Sequence, residues 1–302
     1  VEWLPEAPPE IRSLPKRHPA TWLQSCLGEL RRWPDLELHV IELSKMLPRS
    51  ITFTLDNVTF HCLKAPGGLR APSLFWLDTL LIKRVVQKIR PDVVHAWGTE
   101  KGAALIASRL QYPSLVSLQG LMAYFAEVLP VSRYDRFVAW CERMSLRKAR
   151  YASGESTFVT DYLRGHYPHL KVFHVEHAPT REFFEVRRAP KTRPLEFLTV
   201  GTISHRKGTD LLLQALDRLK DDLDFRLTLI GFWSDEAFVQ RIRTSTSAQL
   251  WERIAILETV PTTAVLEKLS EATMVILPTR GDTGPVAVKE AVVAGVPVVG
   301  SL

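Results

Sequence analysis

Cysteine is scarce in this chain, and its scarcity narrows the setting. Cys26, Cys62 and Cys141 are the only three among 302 residues, and they lie far apart. An odd, dispersed set does not make a disulfide framework, so a cytoplasmic, reducing location is expected. Long apolar runs are also missing. None approaches the roughly 18 to 20 residues that a membrane span requires. Val1-Glu2-Trp3-Leu4-Pro5 has neither the basic start nor the apolar stretch of a secretory signal. There is no low-complexity tract and no strict repeat. Charge of one sign is weak: the net charge is +6, and the excess lies in residues 1–186. Such a bias suits an anionic partner such as the inner membrane surface. It does not argue for nucleic acid, and no nucleic-acid-binding motif accompanies it.

What is present is ordinary globular material. Hydrophobic residues make up 46% and charged residues 24%, enough to bury a sizeable core. The length suggests two domains. Short apolar runs alternate with helical patterns along the whole chain. Leu36–Leu43, Val58–Leu63, Asp92–Trp97, Leu115–Leu118 and Lys171–Val175 read as strands. Ala20–Arg32, Leu74–Ile89, Gly102–Leu110 and Tyr134–Arg150 read as helices. The later part repeats the alternation. Its strands are Leu195–Val200, Phe225–Ile230, Ile254–Leu257, Met274–Leu277 and Val296–Val299, and its helices are Asp210–Leu219, Thr263–Glu271 and Pro285–Ala294. This order predicts βαβ units, parallel sheets and an α/β fold. Val275-Ile276-Leu277 and Pro297-Val298-Val299 do not alternate with polar residues, as expected of strands covered on both faces. The basic, Pro-containing stretch Arg187–Pro194 reads as a linker. The expected domains are therefore 1–186 and 187–302. The chain stops directly after a strand, where a doubly wound domain ordinarily continues with a helix, so the C-terminal domain is expected to be incomplete.

Two segments carry the chemistry. The first is Leu277-Pro278-Thr279-Arg280-Gly281-Asp282-Thr283-Gly284-Pro285-Val286-Ala287-Val288-Lys289-Glu290, read as strand, loop and helix. Pro285 suits the first helical position, with Gly284 as the cap. The following N–H groups, at Val286 and Ala287, make an anion site. Asp282 and Glu290 suit sugar hydroxyls, since carboxylates accept from hydroxyls and repel phosphate. The bland reading is a surface loop before a helix. The second segment is Val200-Gly201-Thr202-Ile203-Ser204-His205-Arg206-Lys207-Gly208-Thr209-Asp210, with Thr209 as the expected N-cap. Arg206 and Lys207 beside free N–H groups form a diphosphate clamp, or else a solvated basic turn. Both segments leave carboxyl ends of parallel strands, where open α/β sheets bind ligands.

Together the two segments resemble the retaining glycosyltransferases of family 4, glycosyl transferases group 1. That resemblance rests on Arg206-Lys207-Gly208, on the Asp282-to-Glu290 spacing and on Gly295-Val296-Pro297-Val298-Val299. Pro91–Trp97, Val116–Gly120 and Val175–Phe184 match more loosely. The resemblance implies the GT-B fold, two Rossmann-like domains with parallel sheets facing across a cleft. It implies transfer of a hexose from a UDP- or GDP-sugar to a glycan or lipid-linked acceptor, with retention of anomeric configuration and no metal or other cofactor. Residues 1–186 would be the acceptor side and 187–302 the donor side. Lys207 and Arg206, with the Val286 and Ala287 N–H groups, would hold the donor diphosphate. Glu290 would bind the ribose, and Asp282, Thr283 and Gly284 the sugar. Gly231, Phe232, Glu258, Thr259 and Val260 would line the base pocket, and His95, Gln119 and Gly120 the N-terminal side of the cleft.

The chain departs from the family at several positions. Thr202 stands where Arg is frequent, Asp282 where Glu is usual and Gln119 where His is frequent. Lys16-Arg17 occupy the place of a Gly-rich loop. Two rival readings follow, a sugar-nucleotide epimerase on the same fold and a non-catalytic nucleotide-binding relic.

Other features have plainer explanations. Asp222-Leu223-Asp224 matches a metal motif but precedes a strand, at the wrong end of the sheet. His166, His169, His174 and His177 lack a Cys partner and read as structural or surface groups rather than a zinc site. Tyr134–Arg150 is a basic amphipathic helix. It can make peripheral contact with an anionic membrane, or turn its apolar stripe to the core. Gly67-Gly68 reads as a turn.

Overall fold

A computed structural model describes residues 4–15, 21–233, 235–258 and 260–301. The chain divides into two compact units between His177 and Ala178.

The first unit holds two sheets. One pairs β1 (Leu38–Ser44), β3 (Val58–Lys64) and β2 (Ile51–Leu55) in the order β1-β3-β2. β1 and β3 are parallel, whereas β2 and β3 form an antiparallel hairpin around Asp56-Asn57. The purely parallel expectation is corrected here. Ile-Thr-Phe-Thr-Leu alternates apolar and polar residues, and its threonines are exposed. That is the pattern of a half-covered antiparallel strand. The other sheet is parallel, in the order β4 (Val94–Trp97), β5 (Ser114–Ser117), β6 (Tyr151–Gly154) and β7 (Lys171–His174).

The expected helix Tyr134–Arg150 spans Arg133–Leu146, and β6 follows five residues later. Ser132 and Asp135 close its N-terminus reciprocally, each side chain taking the other's backbone N–H. Val138, Ala139, Cys141 and Leu146 are buried, so its apolar stripe faces the core, while Tyr134 and Trp140 remain exposed. Among the described residues no helix is long and apolar enough to cross a membrane.

The second unit is one five-stranded parallel sheet. Its strands are β8 (Leu195–Val200), β9 (Phe225–Ile230), β10 (Ile254–Leu257), β11 (Met274–Leu277) and β12 (Val298–Gly300). Their spatial order is β10-β9-β8-β11-β12. The chain thus winds outward one way from β8, then returns to β8's other side and winds the opposite way. The direction reverses between β8 and β11, the point at which doubly wound sheets open a crevice.

Alternate residues feed opposite faces. Phe197, Leu227 and Leu229 join a cluster with Leu212, Leu213, Leu216 and Phe238. Leu198, Val275 and Leu277 join another with Phe183, Leu269 and Ala291. Covering both faces explains the uninterrupted apolar run of β11, whereas the edge strand β12 leaves Val299 50% exposed, so the expected cover on both its faces is not found. Each fully buried Leu contributes about 1.5–3 kcal/mol through removal from water.

The boundary falls earlier than expected because Phe183, on the short helix Arg181–Phe184, is buried in the second unit's core. The stretch expected as a linker is docked. The Arg188 guanidinium donates to Leu269 O at 3.1 Å and Ala272 O at 2.7 Å. It thereby satisfies carbonyls at the end of the helix Thr262–Glu271. Lys191 Nζ meets Glu271 Oε2 at 3.0 Å.

Candidate functional site

Two loops leave the carboxyl ends of β8 and β11, adjacent strands at the reversal point. The first runs from Gly201 to Gly208. It is tied by its own side chains: Thr209 Oγ1 accepts from Ser204 N and Ser204 Oγ accepts from Lys207 N, each at 3.2 Å. Thr209 is therefore not the N-cap. Gly208 holds that position, at φ 70°, and the helix runs Thr209–Leu219. Only glycine fits there, because a Cβ would stand 1.7 Å from Pro278 O. The two loops touch through backbone at this point.

The second loop runs from Pro278 to Pro285. The expected cap is displaced by one residue. Pro285, not Gly284, is the N-cap of the helix Val286–Val293. Its carbonyl accepts from Val288 N at 3.0 Å and Lys289 N at 3.4 Å, and the Val286 and Ala287 N–H groups precede both. These belong to the helix's positive end. Thr283 is buried, and Glu290 is buried within the helix at 8% exposure.

The structure brings the two loops' charged residues together. Lys207 Nζ donates to Asp282 Oδ2. Arg206 Nη1 lies 3.8 Å from the same oxygen and donates to Gly281 O at 3.1 Å. Thr283 N donates to Asp282 Oδ1 at 2.9 Å. Both partners of the Lys207–Asp282 pair keep 14% side-chain exposure, so the pair is shielded yet reachable. A cation pair facing one carboxylate at a helix N-terminus is chemically suited to exchange that carboxylate for an anionic ligand.

The expected base-pocket residues scatter over the ends of β9 and β10. Gly231, at φ 146°, donates its N–H to Leu257 O at 2.9 Å, and a Cβ there would stand 2.0 Å from Gly201 O. It serves close backbone approach between the ends of β8 and β9. Phe232 is 52% exposed and Glu258 is exposed. Val260 packs against the second unit's core. Thr259 lies outside the described residues, as do Lys16 and Arg17.

In the first unit, His95 on β4 shares a hydrogen bond with Ser117 Oγ at 2.6 Å, and its ring tilts against Trp97 at 4.8 Å. Desolvation by its neighbours lowers its pKa to about 4, although part of the residue stays exposed on β4. Gln119 and Gly120 follow β5. The Gln119 Nε2 is buried without a hydrogen-bond partner, and Gly120 is buried. A Cβ on Gly120 would stand 3.2 Å from Glu100 Oε1.

Three acidic residues at this edge were not singled out from the sequence. Burial raises the pKa of Glu100. Glu155 Oε2 lies 2.6 Å from His177 Nδ1, whose ring stacks on both Trp22 and Trp97. Glu142 accepts from Thr99 Oγ1, from Met122 N at 3.1 Å and from Ala123 N at 2.8 Å. Glu100 and Glu155 each stand just past a strand end, a placement that could have marked them. The other histidines have local partners: His174 with Glu176, His166 with Tyr162 O and His169 with Leu146 O. Asp222 and Asp224 precede β9, at the amino end of the sheet.

Residues 180–301 match the family described as glycosyl transferases group 1, which spans nearly all of the second unit. No curated protein shows significant sequence similarity to the chain. Sucrose-phosphate synthase from Thermosynechococcus elongatus superposes with a TM-score of 0.71 at 17% identity, over 91% of this chain and 73% of that one. The E. coli trehalose-6-phosphate structure bound with UDP-2-fluoro glucose gives 0.65 at 13% identity, over 95% and 82%. A glycosyltransferase from Rickettsia africae gives 0.58 at 18%, over 79% and 65%. At these identities the likeness is one of fold. The chain has the GT-B fold of glycosyltransferases, and its second unit is similar to the group 1 family.

Proposed function

We propose that this chain transfers a hexose from a UDP- or GDP-sugar to a hydroxyl of a glycan or lipid-linked acceptor, with retention. The observation that carries the reading is the meeting of Lys207, Arg206 and Asp282 at the reversal point between β8 and β11. UDP-2-fluoro glucose, bound to the E. coli neighbour, is a nucleotide sugar of the proposed donor class.

The donor diphosphate takes Lys207 and Arg206 from Asp282, assisted by the Val286 and Ala287 N–H groups. Asp282, released, accepts hydrogen bonds from hydroxyls of the transferred sugar. Glu290 accepts from the ribose. The acceptor oxygen attacks the anomeric carbon on the face the leaving group occupies. The bond from that carbon to the diphosphate oxygen breaks, and its electron pair leaves with the nucleoside diphosphate. The acceptor's proton goes to the departing phosphate. Lys207 and Arg206 face the charge that grows on the leaving group, where fixed cations act most strongly. Two side-chain cations make a metal unnecessary in this scheme.

The test is release of free nucleotide from UDP- and GDP-sugars, with and without a panel of glycan and lipid-linked acceptors. Transfer requires release that depends on acceptor. Conversion of the sugar with no acceptor would establish the epimerase reading instead.

A further inference from the structure

The loops carrying Lys207 and Asp282 are 75 positions apart in sequence and leave different strands. Pairing of β8 with β11 and the backbone contact of Gly208 with Pro278 bring the loops together, and Arg280 ties them further. Its guanidinium donates from Nη1 to Asp210 Oδ1 at 2.6 Å and from Nη2 to Asp210 Oδ2 at 2.8 Å. Nη1 also donates to His205 O at 2.7 Å. The Arg280 N–H donates to Arg206 O at 2.8 Å, and Thr279 Oγ1 donates to the same carbonyl at 3.1 Å.

A two-pronged fork sets orientation as well as distance, which a single ammonium does not. The pair's side chains are 25% and 18% exposed, so solvent and salt screen it less than a surface pair. Asp210 lies in the first turn of its helix, where the positive end favours a carboxylate. Arg280 stands two residues before Asp282, and Asp210 three residues after Lys207. The fork thus joins the two loops just behind the charges they present.

We propose that Arg280 and Asp210 are positioning residues for the donor diphosphate, their fork setting the gap across which Lys207 and Asp282 face each other. The proposal rests on the donor-site reading above. Neither residue needs to touch the nucleotide. The effect passes through Lys207.

The test is calorimetric titration of UDP, GDP and ADP into wild type, Arg280→Lys, Asp210→Asn, Lys207→Ala and the double variant Arg280→Lys/Lys207→Ala. Thermal unfolding of each ligand-free protein runs alongside. Arg280→Lys keeps the charge and loses the fork, and Asp210→Asn breaks the fork from the other side. The expected result is a cooperatively folded protein that binds the preferred nucleotide at least tenfold more weakly. Because the loss passes through Lys207, the double variant binds no more weakly than Lys207→Ala alone. Wild-type affinity in the folded fork variants, or a loss that adds in full to that of Lys207→Ala, would overturn the proposal. Unaltered binding in Lys207→Ala would instead overturn the donor-site reading on which it rests.

Discussion

Lys207 and Asp282 form an ion pair across two loops that meet where the second unit's sheet reverses its winding. The sequence assigns one residue to phosphate and the other to sugar, yet without ligand each satisfies the other. If the pair holds a donor diphosphate as proposed, binding separates them, and this coupling has measurable consequences.

Replacing Asp282 with Asn removes the charge that competes for Lys207. Nucleoside diphosphate should then bind more tightly, by about tenfold if some 1.4 kcal/mol of competition is relieved. Transfer should fall, because the sugar hydroxyls lose a charged acceptor. Calorimetric titration and turnover, measured on the same preparation, check the opposite signs. Binding that weakens along with turnover would show that Asp282 does not compete for Lys207.

Two glycine substitutions should move stability in opposite directions. Gly208→Ala forces a Cβ toward Pro278 O at positive φ. The left-handed conformation alone costs about 1–2 kcal/mol, and the clash adds to it. Gly165 lies inside the helix Thr157–His166 with open space around its missing Cβ. Gly165→Ala should therefore stabilise by about 0.5–1 kcal/mol. Urea unfolding of both variants gives the comparison.

Glu142 predicts a pH dependence. Burial pushes its pKa up to about 7, against hydrogen bonds from Thr99, Ala123 and Met122 that favour the carboxylate. The folded state therefore holds this proton more tightly than the unfolded chain. Its contribution is fully present below about pH 4.5 and is lost as pH rises through about 7. This dependence vanishes in Glu142→Gln. Denaturant unfolding at pH 5 and pH 8 should show the variant gaining on wild type at the higher pH. An equal difference at both would contradict the assignment.

Much of the second unit is legible in its sequence because its inner strands β8, β9 and β11 are largely buried. Phe225–Ile230 and Met274–Leu277 are apolar enough to stand out, and Gly295 marks the end of a helix. The first unit is harder to read. β2 carries threonines at alternate positions, and Tyr-Ala-Ser-Gly of β6 has no β-branched residue. The helices Thr157–His166 and Glu236–Ser245 do not stand out by apolar spacing, although Ser156 and Asp235 cap them through side-chain bonds to Val159 N and Phe238 N. The positions of Lys207 and Asp282 could be read from local motifs. Their pairing could not, nor could the Arg280–Asp210 fork, because both are set by which strands become neighbours. The unit boundary is hidden for a similar reason: only packing shows that Phe183 belongs to the second core.

The central claim is that this reversal point holds a nucleotide diphosphate, and thermal unfolding with UDP, GDP and ADP tests it most directly. A ligand at about 100 times its dissociation constant adds about 2.7 kcal/mol, a rise of about 4 °C for a chain of this size. The account predicts that rise with one nucleotide, and its loss in both Lys207→Ala and Glu290→Ala. A rise that survives both substitutions, or none with any of the three nucleotides, would contradict it.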